Sequence, residues 1–124
     1  MSFPDNWPGD CPPQDAIDAS GQVFRIVKTD PPSAEDFATH FETGKMPKAP
    51  ACLRCGLSVF QELKDAVHQR HLLPRLGRLI AQGTLHTEHG KIKLTTGKQP
   101  THSTWWACRE VERASLFAVV MEAG

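Results

Sequence analysis

Short β-prone segments, each closed by proline or glycine, run through the chain from Gly21 onward and set its fold class. Gly21 opens Gln22-Val23-Phe24-Arg25-Ile26-Val27-Lys28, rich in residues that favour strands. Alternation there puts Val23, Arg25 and Val27 on one face and Phe24 and Ile26 on the other. Asp30-Pro31-Pro32 ends this strand. Ser33 is a fitting N-cap for a helix with Glu35 and Asp36 in its first turn, Phe37 and Phe41 on one side, and Gly44 as its stop. Residues 45–51, with Pro47 and Pro50, read as loop. Leu57 to Phe60 is a short strand candidate, and residues 61–73 a second helix that turns Leu63 and Val67 inward before Pro74.

The second half reads in the same way. Residues 76–81 fit a strand or a short helical turn, and 83–85 extend the sheet. His89-Gly90 reads as a hairpin turn into 91–95, where polar and apolar residues alternate. Residues 101–106 are β-prone, 108–114 a charged loop or turn, and 115–121 a last strand, buried because both its faces are apolar. The sum is one small α+β domain over residues 21–124. It carries a mixed or mostly antiparallel sheet of four to six strands, with two helices packed near the N-terminal half. Residues 1–20, rich in Pro and Asp, form an extended N-terminal arm anchored by Trp7.

At 124 residues the chain has the length of one domain. Its 14 basic and 14 acidic residues cancel, so no long-range field draws it to nucleic acid in bulk or to an anionic membrane surface. The longest apolar run, Leu116 to Met121, falls far short of the roughly 20 residues of a membrane helix. The first residues lack the basic and apolar regions of a signal peptide. With four cysteines, this predicts a cytoplasmic protein with reduced thiols.

Several residue groups carry chemistry. Cys52-x-x-Cys55 and His86-x-x-His89 together offer four ligands for tetrahedral zinc. The interval between the pairs is longer than in a zinc finger, and a chain of this length folds without metal, so zinc is not expected. Ordinary buried thiols are the other reading. A thioredoxin-type pair should lead directly into a helix, whereas Gly56-Leu57-Ser58-Val59 looks like strand. In His102-Ser103-Thr104-Trp105-Trp106 the adjacent tryptophans cannot share a core face. Either one of them lines a groove as a stacking wall beside His102 and Thr104, or both pack. Ser58 and His102 suggest a hydrolase pair, but there is no Gly-x-Ser-x-Gly elbow and no acid at a telling spacing. Arg75 and Arg78 are phosphate-binding candidates or solvated charges. No Gly-rich phosphate loop is present.

Three pieces, in order, resemble ADP-ribosyltransferase-like domains, including small bacterial toxins. They are Phe24-Arg25 on an early strand, Gly56-Leu57-Ser58-Val59-Phe60 ahead of a helix, and Glu110-Val111-Glu112 ahead of Phe117-Ala118-Val119-Val120. The Ser-bearing strand departs from the family pattern in lacking a Ser-Thr-Ser triplet. The resemblance implies a toxin or effector that takes the dinucleotide NAD as substrate. Arg25 would then pair with a phosphate through its planar fork, and Ser58 would lie near the nicotinamide ribose. His102 would line the cleft and Trp105 or Trp106 wall it. Glu112 would stabilise charge as nicotinamide leaves, and Glu110 would position the acceptor. The alternative is a non-enzymatic interaction domain of the immunity, antitoxin or adaptor kind, with paired Trp at a protein interface.

Overall fold

The computed structural model describes residues 2–122. Seven antiparallel strands form one sheet: β1 (Ile17–Asp18), β2 (Gly21–Val27), β3 (Leu57–Phe60), β4 (Leu79–Leu85), β5 (Gly90–Leu94), β6 (His102–Ala107) and β7 (Phe117–Met121), in the spatial order β1-β5-β6-β3-β2-β4-β7. The α+β class stands, while the strand count exceeds the four to six expected. The surplus is β1, a two-residue strand in the arm that pairs Ile17 with Ile92 and Asp18 with Lys91. Nothing in its composition separates it from an extended coil.

Three α-helices accompany the sheet: α1 (His40–Thr43), α2 (Ala51–Arg54) and α3 (Leu63–Leu72). The long helix expected from Ser33 to Gly44 is instead a 3₁₀ turn over Ala34–Phe37 followed by α1. Two capping signals in series break it. The Asp36 carboxylate accepts from the Ser33 N–H at 3.0 Å and closes the first turn on itself. Thr39 and Glu42 then form a reciprocal capping box, with Thr39 N–H to Glu42 Oε1 at 2.8 Å and Glu42 N–H to Thr39 Oγ1 at 3.0 Å. A residue that caps a new helix cannot also continue the old one. Gly44, with φ of 72°, ends α1 as expected.

Two other expectations change. His89-Gly90 is not a hairpin turn, because β4 pairs with β2 and β7, and β5 with β1 and β6. The link from Leu85 to Gly90 crosses between the two ends of the sheet. Five peptide units reach at most about 18 Å, and part of this link is coiled over Thr87–His89. A flat sheet would separate β4 from β5 by four strand spacings, about 19 Å. The sheet therefore folds on itself. Residues 113–116 form a turn ahead of β7, and β7 is an edge strand with one face open, Val120 being 50% exposed.

The fold line is the seam between β2 and β3. That ladder holds one registered pair, Phe24 with Phe60, whereas β2 pairs with β4 over seven residues and β3 with β6 over four. Beyond Phe24 the two halves diverge. Their inner faces enclose the main core, where Val23, Val27, Ala81, Leu85 and Phe117 of one half meet Leu57, Val59, Ile92, Trp105 and Ala107 of the other. On the outer face α3 packs Leu63, Ala66 and Val67 over Phe24, Ile26, Phe60 and Ile80.

Four cysteines allow three pairings, and the reduced state expected for them is not what is found. Cys11 and Cys52 form a disulfide, their Cα atoms 5.3 Å apart, while Cys55 and Cys108 are free and buried. The bridge ties the arm to α2 across 41 residues of sequence. Closing a loop of that length restricts the unfolded chain by about 4 kcal/mol in the chain-entropy treatment. Cys11→Ser should accordingly lower stability by about 2–4 kcal/mol, and reductant should lower the melting temperature of the native chain but not of the variant. Equal melting with and without reductant would show that the bridge contributes nothing.

Candidate functional site

Where β2 and β3 part, a cavity of about 310 Å³ opens, lined in part by Arg25, Ser58, His102, Thr39, His40 and Leu53. Leu73 and Leu76, just after α3, complete its apolar wall. Three of the residues expected at a cleft are thus brought together: Arg25 from β2, Ser58 from β3 and His102 from β6.

Arg25 spans the seam. Its Nε donates to the Asp36 carbonyl at 3.0 Å and its Nη1 to the Ser58 carbonyl at 2.8 Å, with the guanidinium 5.3 Å from the Phe37 ring centre. Nη2 makes no hydrogen bond among the described residues, and no fully buried side-chain nitrogen or oxygen among them lacks a partner. Nη2 is therefore not fully buried, and Arg25 lines the cavity. Burial lowers the Arg25 pKa to about 10, with Asp36 pulling it up and Arg113 pushing it down. The group is still a full cation near neutral pH. His40, on the same wall, is held below its usual pKa by partial burial and by Lys45, Arg25 and Arg54. One fixed cation and a neighbourhood that disfavours further protonation make an electropositive pocket suited to an anion.

His102 begins β6, where the β5–β6 hairpin closes, and Thr95 N–H donates to its carbonyl at 3.0 Å. Its ring Nδ1 lies 2.7 Å from the Thr95 carbonyl and 3.1 Å from Thr95 Oγ1, which in turn contacts Thr104 Oγ1 at 2.8 Å. A carbonyl only accepts, so Nδ1 carries the proton and Nε2 is left as an acceptor. Nε2 lies 3.0 Å from Ser58 Oγ, whose hydroxyl donates to it. Ser58 itself is exposed to the cleft.

The remaining expected residues lie elsewhere. Trp105 and Trp106 are both 0% exposed, pointing to opposite faces of β6. The Trp105 indole donates to the His89 carbonyl at 3.0 Å and that of Trp106 to the Cys52 carbonyl at 2.8 Å, so both pack and neither walls a groove. Glu110 and Glu112 follow β6 in sequence, and neither lines the cavity. Glu110 receives the Ser2 N–H at 3.0 Å and the Ser2 hydroxyl at 2.9 Å, and these bonds lower its pKa to about 2. Glu112 lines two other hollows, one of which shares Ala38 with the wall of the cleft. Arg75 and Arg78 are exposed.

The zinc alternative also dissolves. Cys52 is in the disulfide, and His89 Nδ1 accepts from the His86 N–H at 2.9 Å. Among the described residues no three His, Cys, Asp or Glu side chains are grouped to hold a metal ion, and no helix is long and apolar enough to cross a membrane.

Sequence reasoning missed Thr39, His40 and Leu53 on the cleft wall and Thr95 behind His102. The Thr39-x-x-Glu42 spacing was the available signal for the first pair. Comparison with protein-family models, with curated proteins and with solved structures finds no match for this chain.

The Arg25 brace depends on Asp36 being held in place. Burial pulls the Asp36 carboxyl up, but hydrogen bonds from the Thr29 hydroxyl and the Ser33, Lys28 and Thr29 N–H groups outweigh it and hold the pKa below 3.8. A depressed folded pKa stabilises the fold above the unfolded value and loses that contribution as pH falls through the folded one. The urea midpoint should thus be level above about pH 5 and fall below pH 4, and Asp36→Asn should lower the plateau and flatten the fall. An unchanged acid limb in the variant would remove Asp36 from the brace.

Proposed function

We propose that the cleft at the β2–β3 seam binds a small anion-bearing molecule, with NAD as the leading candidate. The supporting observation is the meeting of Arg25, Ser58 and His102 around one cavity whose free donor is a guanidinium N–H pair. The reading retains the binding half of the ADP-ribosyltransferase-like resemblance and a toxin or effector role. It leaves out transfer assisted by Glu112 and Glu110, because neither residue lines this cavity. A guanidinium already fixed to backbone through Nε and Nη1 loses little further freedom when Nη2 donates to a phosphate.

One observation favours a second reading, a non-enzymatic interaction domain. Leu53 and Leu76, 45% and 38% exposed, rim the same cavity and give a partner an apolar foothold. The buried tryptophans contribute nothing to it.

A thermal-shift titration separates the two. NAD at a hundred times its dissociation constant should stabilise the chain by about 2.7 kcal/mol, on the order of 10 °C for a domain of this size. Arg25→Lys, which keeps the charge without the fork, should melt lower and show almost no ligand shift. A wild-type chain unmoved by millimolar NAD would remove the dinucleotide and favour the partner-binding reading.

A further inference from the structure

We propose that Ser58 is a nucleophile activated by His102, and that the cleft carries out acyl transfer to water on small esters bearing a negative charge. The inference rests on the cleft being a binding site, but not on its ligand being a dinucleotide. Three observations carry it. Ser58 is exposed in the cleft with its hydroxyl 3.0 Å from His102 Nε2. The ring is locked in the tautomer that accepts there, because Nδ1–H is spent on the Thr95 carbonyl at 2.7 Å. Arg25 is bound to the backbone of the same serine, which puts a fixed cation beside the reacting centre.

A strand serine that merely satisfied the sheet would have no need of an oriented base. Here the base is held at its far nitrogen by a backbone carbonyl, the part an acid plays in other nucleophile–base–orienter sets. The Thr95 and Thr104 hydroxyls lie behind the ring and restrict it further. Arg25 and the apolar wall of Leu53, Leu73 and Leu76 set the substrate class, an ester with a short apolar acyl part and an anionic group.

The step balances without any cofactor. The Ser58 hydroxyl proton passes to His102 Nε2 as Oγ bonds to the ester carbonyl carbon. The carbon–oxygen bond to the alcohol then breaks, and the alcohol takes the proton from Nε2. Water next gives a proton to Nε2 and its oxygen to the acyl carbon, and Ser58 regains its proton from His102 as the acid leaves.

A fluorophosphonate probe tests this directly. It reports the same attack, with fluoride as the leaving group and a stable phosphonyl–serine product read by peptide mass spectrometry. Native protein should form one adduct, on Ser58, roughly 100-fold faster than on the exposed Ser20 and Ser115, the low end of what a positioned base supplies. Ser58→Ala should form none. His102→Asn keeps a donor for the Thr95 carbonyl but has no base at the Nε2 position, and His102→Gln is the companion variant. Whichever of them folds natively by circular dichroism should label Ser58 about 100-fold more slowly. Ser58 labelling no faster than Ser20 in the native chain would overturn the proposal whatever the variants do, and so would full-rate labelling in a folded His102 variant. Either result is independent of the NAD titration, so a failed nucleophile and a failed dinucleotide site are told apart.

Discussion

The Arg25 guanidinium at the β2–β3 seam is the interaction on which the rest of this fold depends. An antiparallel sheet normally satisfies its carbonyls strand to strand, but here the ladder is abandoned after a single pair. The Ser58 carbonyl is left facing the gap, and Arg25 takes it together with the Asp36 carbonyl of the neighbouring 3₁₀ turn. An arginine in a predominantly apolar strand is costly to bury. Its charge-assisted hydrogen bonds, each worth about 1.5–3 kcal/mol, offset that cost and let two half-sheets diverge without orphaned backbone. Because the halves diverge, their inner faces can close on one core while the outer side of the seam stays open as a cleft. Opening the sheet and lining the cavity with a cation are one structural act.

Position in the sheet also explains the His102 geometry. The residue closes the β5–β6 hairpin, so the backbone opposite it is fixed by the ladder rather than by a mobile loop. β3 is the next strand over and pairs with β6 in register through Phe60 and His102. Ser58 lies two residues along β3 from Phe60, on the same face, and the ring reaches it diagonally. The contact follows from strand register, which is set in turn by the burial of Leu57, Val59 and Phe60.

Much of this was legible in the chain. Residue types and periods located β2, β3, β5, β6 and α3 to within a residue or two, because each carries a local pattern. Arg25 stood out through its apolar neighbours, and His102 through the bulky strand it begins. What escaped depended on distant partners. The crossover at His89-Gly90 looks like a hairpin because glycine signals a backbone angle, not which strand lies next. The Cys11–Cys52 bridge joins a coil to a four-residue helix, neither of which has a strong signature. The glutamates of the Glu110-Val111-Glu112 stretch matched a motif in order along the chain, yet neither lines the cleft. Order in sequence does not by itself bring residues to one cavity.

The two borders of the sheet are finished differently. One ends in the two-residue β1, where Lys91 and Asp18 form an ion pair at 2.6 Å across the last ladder. The other ends in β7, Phe-Ala-Val-Val-Met, with no charge and no proline among its residues. A short charged border resists another strand, and a bare apolar one invites it. Crowded copies of this molecule would meet β7 to β7. A single lysine in place of Val120 is the cheapest guard against that encounter.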